Sequence, residues 1–468
     1  MKKLDLHQLD YREDSSQYFE YFRHMPLASY LDSCAMAHDS ENGRFDIITA
    51  EPSDVITVTA EGEVVWDSRL AGGDEKRRYS ANPFDILSEL FETLPPVAND
   101  DLPFTGGLLG FWAYELGTVL EPEKIKKRAD NNSPLMCVGL FWWALVTDHQ
   151  QKKTTLVFHP DIDQKTYTTI INALKIPVEP CAEAFSLEEK FSASINYDQY
   201  QQAFSRIQDY IVAGDCYEVN LTQEFTAPYS GNSWLAYQHL RQVSPAPYSA
   251  YLAYPGLSIL SHSPERFIRV TDRHVETFPI KGTIARGATP EEDITNANVL
   301  QNSEKDKSEN LMIVDLLRND LGKVCQTGSI KVPRLFALES YANVHHLVSS
   351  VTGTLSPETC VFELMASVFP GGSITGAPKI RSMEIIRELE PGARSVYCGS
   401  IGYISCNGRL DTNIAIRSLV DNGDRLHCWG GGAIVAESDC QLEYQESVTK
   451  VSNLMQALEQ MGSRECVE

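Results

Sequence analysis

Pro279-Ile280-Lys281-Gly282-Thr283 places one lysine in an otherwise apolar segment that ends in glycine. An amine attacks only after losing its proton, and apolar surroundings favour the neutral form. Lysines are more often solvated surface charges. What this one does therefore depends on the chemistry the rest of the chain supplies.

The chain has 468 residues, enough for two or three domains with a large core. Hydrophobic residues make up 43% and charged residues 22%, an ordinary globular composition. A formal net charge of -24 argues against a nucleic-acid surface, though not against an anionic small substrate held by local positive charge or a metal. Met1-Lys2-Lys3-Leu4-Asp5-Leu6 leads into no apolar signal core. The greasiest run, residues 136–146, is too short to span a bilayer and reads as a buried strand, so no membrane association is expected. The eleven cysteines are scattered, without close Cys-x-x-Cys pairs, as reduced thiols of a cytoplasmic protein would be.

Short apolar strands are expected at residues 45–50, 55–59, 64–66, 108–113, 138–147 and 154–158, with a helix at 83–94. Ile176-Pro177-Val178-Glu179-Pro180 reads as a linker. These signals divide the chain into an N-terminal region, 1–175, and a second domain, 190–460. The second opens with a helix: Tyr200, Phe204, Ile207 and Ile211 fall at helical spacing before Gly214. Strands follow at 217–225, 250–253, 257–261 and 266–270. A helix over 303–317 should bury Leu311, Ile313, Val314 and Leu317. A last helix begins near Ser438, where Ser438 and Gln441 suit a capping box. Strands and helices mixed in each half predict an α/β (α+β) protein with large sheets.

Several clusters carry chemical potential. Asp306 and Glu309 share one helix face, and Glu443, Glu446 and Lys450 share another. Such faces are commonly just solvated, but two of them in one domain would suit a hard cation such as Mg2+. Phe369-Pro370-Gly371-Gly372-Ser373-Ile374-Thr375-Gly376-Ala377-Pro378-Lys379 lacks the Gly-Lys-Ser/Thr ending of a phosphate loop, yet it can offer donors to a carboxylate. Gly430-Gly431-Gly432-Ala433 reads as a second such loop, and tight turns are the alternative for both. Arg417 ends an alternating strand, Asp411-Thr412-Asn413-Ile414-Ala415-Ile416-Arg417. It suits either bidentate carboxylate binding or a structural ion pair. Glu265, after Pro264, is either a general acid or a turn carboxylate paired with Arg266.

Together these segments resemble the chorismate-utilising enzymes, which include anthranilate, isochorismate and salicylate synthases. The matching blocks are 263–267, 279–283, 309–316, 344–347, 369–379, 399–403, 410–417 and 443–446, in order across most of 192–452. The first 175 residues resemble the N-terminal region of the anthranilate synthase group. The implied fold is two large antiparallel β-sheets packed as a sandwich, with helices outside. Within the family, lysine rather than alanine at 281 marks the members that add ammonia at C4 of chorismate, giving 4-amino-4-deoxychorismate for 4-aminobenzoate and folate synthesis.

The resemblance implies site roles. Glu309 and Glu446, supported by Asp306 and Glu443, would hold magnesium against the ring carboxylate. Arg417, Tyr397, Gly431 and Gly432 would hold the substrate's carboxylates, with Ser373, Thr375 and Lys450 nearby. Glu265 would protonate the departing C4 hydroxyl, Lys281 would attack C2 as a covalent nucleophile, and His346 would orient. Ammonia would come from glutamine through a separate amidotransferase subunit in a heterodimer, since the family's Gly-x-Cys-x-Gly turn is missing here. Leu31-Asp32-Ser33 resembles a tryptophan-binding segment. Ser33 with Gly43, Arg44, Phe45, Pro247, Tyr248 and Ser249 would form an L-tryptophan pocket, although aspartate at 32 replaces the usual glutamate. Ala433, where many relatives carry glycine, would narrow the carboxylate loop slightly. Two rival readings remain open: an anthranilate synthase component, and a non-catalytic subunit that binds chorismate or tryptophan.

Overall fold

The computed structural model describes residues 3–34, 43–68, 75–99, 101–123, 125, 133–178, 184–340 and 344–461. Its strands form two antiparallel sheets, of 13 and 12 strands. In the first, Asp5–Leu9, Lys153–Phe158, Trp143–Asp148, Phe45–Thr49 and Ala28–Asp32 run into Tyr248–Tyr254, Leu257–Ser263, Ser418–Asp421, Arg425–Ile434 and Glu218–Gly231. In the second, Ile280–Ala285, Val344–Thr354, His274–Thr277, Arg266–Thr271, Leu410–Asn413 and Ser400–Ser405 run into Gly107–Trp112, Met136–Phe141 and Asp54–Val58. Each sheet thus takes strands from both sides of the 176–180 stretch. The joints are Ala28–Asp32 against Tyr248–Tyr254 and Gly107–Trp112 against Ser400–Ser405. Ile176 to Val178 belong to no helix or strand, and Glu179 and Pro180 lie outside the described residues.

Alternation along the strands shows how the layers pack. Ile47, Val146, Val157, Leu252, Ile259 and Val420 point into a core shared with Ile56, Phe111 and Val138 of the other sheet. Their sequence neighbours Ile48, Leu145, Leu156, Tyr251, Leu260 and Leu419 point outward, beneath Phe19, Trp234, Tyr237, Leu454 and Leu458 of the covering helices. Phe111 meets Tyr254 across the interior at 5.9 Å. This is the expected sandwich with helices outside.

Helix Tyr197–Ala213 begins at a reciprocal Asn196–Gln199 cap and ends at Gly214 with φ +81°. Ser303 caps helix Glu304–Gly322 by accepting from Asp306 N.

Five local expectations are corrected. The run 138–147 is two strands in different sheets, Met136–Phe141 and Trp143–Asp148, with the chain crossing at Trp142. Every residue in both strands is buried, so hydropathy carries no sign of the crossing. Leu311 is exposed on its helix, whereas Ile313, Val314 and Leu317 are buried. The strand expected to reach Arg417 stops at Asn413, and Arg417 has φ +54°. Ser438 forms no capping box. Asp439 caps helix Cys440–Met461 by accepting from Gln441 N and Leu442 N, and Ser438 Oγ donates to Glu443 instead. Finally, 430–433 lies within strand Arg425–Ile434 rather than in a loop. A Cβ on Gly430 would sit 2.0 Å from Ser447 O, so glycine there lets the last helix lie directly on the strand.

The nine described cysteines are all free. No helix among the described residues is long and apolar enough to cross a membrane.

Candidate active site

Five elements meet at Lys281: its own strand, strand Glu218–Gly231, the 372–377 segment, and helices Glu304–Gly322 and Cys440–Met461. Lys281 Nζ donates to Glu218 Oε1 at 3.0 Å, with side chains only 10% and 0% exposed. Burial opposes the ammonium charge, but Glu218, Glu309 and Glu265 outweigh it, and the lysine pKa is raised. The apolar setting inferred from Pro279-Ile280-Lys281 is therefore corrected. The side chain leaves its apolar sequence neighbours and enters an acidic enclosure, where it is held protonated. Gly282, at φ +84°, makes room for this approach, since a Cβ there would sit 2.9 Å from the Asp306 side chain.

Glu265 is buried, and burial pushes its pKa up to about 7, against the opposing pull of Ser373 and Lys281. Ser373 Oγ donates to Glu265 Oε1 at 2.7 Å. The pairing of Arg266 lies elsewhere, on Asp411 at 2.9 Å, so the turn-carboxylate alternative for Glu265 falls away. A carboxyl poised near neutrality beside a buried amine is equipped for proton transfer.

Glu309 is likewise pushed up to about 7 by burial, with Lys281 opposing the shift and Glu218 adding to it. Lys305 bridges the two acidic helices, 3.8 Å from Glu309 and 3.2 Å from Glu443. Burial tends to raise the Glu446 pKa, but Lys450, at 2.7 Å, outweighs it and holds the group below its usual value. Lys450 Nζ also donates to Gly431 O at 2.8 Å. A Cβ on Gly432 would meet Glu443 at 3.2 Å, Glu446 at 3.7 Å and Lys450 at 3.8 Å, so these three side chains converge there. Among the described residues no three Asp, Glu, His or Cys side chains are already gathered as around a metal ion. Glu309 and Glu443 instead share the ammonium of Lys305, so the acidic faces do gather positive charge. The donor set, all carboxylate oxygen, fits magnesium.

Arg417 is largely buried, and burial lowers its pKa. Among the described residues no carboxylate pairs with it, which removes the ion-pair alternative. His346 is depressed to about 4, first by burial and then by Arg417, and its Nδ1 lies 2.8 Å from Thr283 Oγ1. Tyr397 stacks on Trp429 at 5.9 Å and 10°. Thr375 turns away from the site: its hydroxyl donates to Gly371 O and Gly372 O at 3.1 Å. Ala433 pairs with Asn220 in the sheet ladder.

Glu218 and Lys305 were not singled out from the sequence. Glu218 had a signal. In Glu218-Val219-Asn220-Leu221-Thr222 the polar residues alternate with apolar ones, and Val219 and Leu221 face the core. A glutamate on the opposite face of such a strand is still fully buried, so it needs a partner.

A second cavity, with about 580 Å³ of empty space partly open to solvent, lies at the joint of the first sheet. Gly43, Arg44, Phe45, Pro247, Tyr248 and Ser249 line it, together with Asp32. Ser33 does not line it. Its N–H and hydroxyl both donate to buried Asp46, at 2.7 and 2.6 Å. Asp32 is itself held by Arg241 at 2.9 Å and Tyr237 at 2.8 Å.

The sandwich is that of the anthranilate synthase component I class of fold. Anthranilate synthase component I from Streptococcus pneumoniae superposes with a TM-score of 0.77 at 30% identity, over 89% of this chain and 93% of that one. Residues 33–456 match the chorismate binding enzyme family, and the chain belongs to that family. It is 42% identical to aminodeoxychorismate synthase component 1 of Escherichia coli (strain K12), over 96% of this chain and 97% of that protein. Its identity to anthranilate synthase component 1 of a Synechocystis strain is 34%, over 89% and 88% of the two chains.

Proposed function

We propose that this chain is the chorismate-aminating component of an aminodeoxychorismate synthase, converting chorismate and ammonia to 4-amino-4-deoxychorismate for 4-aminobenzoate and folate synthesis. The observation that carries the reading is the amine of Lys281, buried at the centre of the site within reach of Glu265's field, in a chain so similar to aminodeoxychorismate synthase component 1.

Arg417, which no carboxylate among the described residues pairs with, takes a substrate carboxylate in a bidentate pair. Glu265 gives its proton to the C4 hydroxyl, which leaves as water. Lys281 adds to C2, and the ring double bonds shift by one carbon as the C4–O bond breaks. Ammonia then adds at C4, the double bonds shift back, and the lysine leaves. Two displacements replace one difficult step, and a nucleophile held in place avoids the entropy of a second encounter. His346, kept neutral, orients neighbouring groups through Thr283. Magnesium, held by Glu309, Glu443 and Glu446 with Asp306 alongside, would supply charge neutralisation and orientation of the ring carboxylate. Ammonia comes from a glutamine amidotransferase partner. The second cavity takes L-tryptophan as a structural or regulatory ligand.

Lys281→Ala tests the reading. The variant is expected to keep chorismate and magnesium affinity and to lose covalent turnover. Wild-type turnover in the variant would remove the lysine from the mechanism.

A further inference from the structure

We infer that Glu218 is the base for Lys281: it takes the Nζ proton before attack on C2 and returns it when the lysine leaves. The inference rests on the proposed lysine nucleophile and adds the step that makes it possible.

The site presents a proton problem. Lys281 is charged before substrate arrives, and its side chain is only 10% exposed, so solvent has little access to carry the proton off. A group inside must take it. Glu218 Oε1 already accepts that N–H at 3.0 Å. Its other oxygen, Oε2, is buried and has no hydrogen-bond partner among the described residues. A buried carboxylate held by one contact gains from becoming neutral when its cationic partner does, because both then shed a desolvation penalty.

The alternatives are engaged elsewhere. Glu265 must start protonated to serve the leaving hydroxyl, and it holds Ser373. Glu309 lies 3.8 Å from Lys305 on the proposed cation face. His346 sits on Thr283. Among the described residues, the ionisable groups around Glu218 and Lys281 include Glu265, Asp306, Glu309, Lys305, Glu443, Glu446 and Lys450.

The backbone fixes the position of Glu218. It pairs with Ala377, and its carbonyl accepts from Ser382 Oγ at 2.9 Å. Val219 pairs with both Gly376 and Ile434. The Glu218 main chain is thus pinned to the segment that carries Ser373.

The step balances. The ammonium gives one proton to Glu218. The freed electron pair forms the N–C2 bond, and Glu265's proton leaves with the C4 oxygen as water. When ammonia has added at C4 and the C2–N bond breaks, the lysine recovers its proton from Glu218, and the new C4 ammonium re-protonates Glu265.

The test is a single turnover with chorismate and magnesium but no ammonia, following the adduct on Lys281 by intact-protein and peptide mass spectrometry. Transfer within the pair exchanges no proton with solvent, so wild-type adduct formation should not climb with alkaline pH. Glu218→Gln should slow it about 100-fold at neutral pH, with a rate that rises about tenfold per pH unit below about 7 and levels above it, where loss of the Glu265 proton offsets the growing free-amine fraction. Glu218→Asp should restore the wild-type pH dependence. Unchanged chorismate and magnesium binding in both variants would show that the fold is retained. An equal or faster adduct rate in Glu218→Gln, with wild-type pH dependence, overturns the assignment. Wild-type turnover with no lysine adduct overturns the nucleophile reading and this inference with it.

Discussion

Ser373 Oγ donates to Glu265 Oε1 at 2.7 Å, tying the glycine-rich segment to the carboxyl at the head of strand Arg266–Thr271. This bond opposes what burial does to Glu265. Burial pushes the pKa up to about 7, whereas a donor to the carboxylate lowers it. A general acid works only while protonated, so kcat/KM for chorismate should fall as pH rises through about 7. Ser373→Ala removes the donor and should move that limb to higher pH. Glu265→Gln should cost roughly 10²–10⁴ in rate. A limb that moves to lower pH in Ser373→Ala would break the assignment.

Arg417 poses the opposite case, a cation with no carboxylate partner among the described residues. Burying an unpaired guanidinium costs stability, and a substrate carboxylate offsets that cost. Arg417→Met should therefore raise KM for chorismate by about 100-fold, in keeping with a charge-assisted pair worth about 2–5 kcal/mol. The thermal midpoint of the ligand-free protein should stay level or rise. A lower midpoint with unchanged KM would make Arg417 structural.

Lys305 sits where a divalent ion would be held, between Glu309 and Glu443. Lys305→Ala should tighten magnesium binding in titration calorimetry, because a competing charge is gone. Glu309→Ala and Glu446→Ala should weaken it. Unchanged titrations in both glutamate variants would remove those residues from the cation site.

Asp32 is buried, and its carboxylate depends on Arg241, whose Nε and Nη2 reach its two oxygens at 2.9 and 3.1 Å. Removing one partner of a buried pair leaves an uncompensated charge. Arg241→Ala should cost about 3–5 kcal/mol, read as a shift in the denaturant midpoint. A change within error would show that Tyr237 and the N–H of Cys34, which donates to Asp32 Oδ1 at 2.7 Å, suffice for Asp32.

The parts of this structure legible in the sequence are those that local chemistry determines. The helix ending at Gly214, the start of the acidic helix near Ser303 and most strands follow from periodicity and end signals. Glu265, Glu309 and Lys281 stood out because their neighbours matched an ordered family pattern. What stayed hidden depends on contacts far along the chain. The crossing at Trp142 leaves no trace in a run that is buried in both sheets. The ion pair of Glu218 with Lys281 joins residues 63 positions apart, from strands in different sheets. The environment of Lys281 was misjudged for the same reason, since its sequence neighbours are apolar and its spatial neighbours are carboxylates. Ser33 matched a binding segment, but its hydroxyl was claimed by Asp46.

The central claim is amination at C4, and the most direct test is the product formed from chorismate with magnesium and ammonium salt, identified by mass spectrometry and NMR. The account predicts 4-amino-4-deoxychorismate, with the new nitrogen on C4. Anthranilate, with nitrogen on C2 and the side chain lost, would contradict it and would make this chain an anthranilate synthase component despite Lys281.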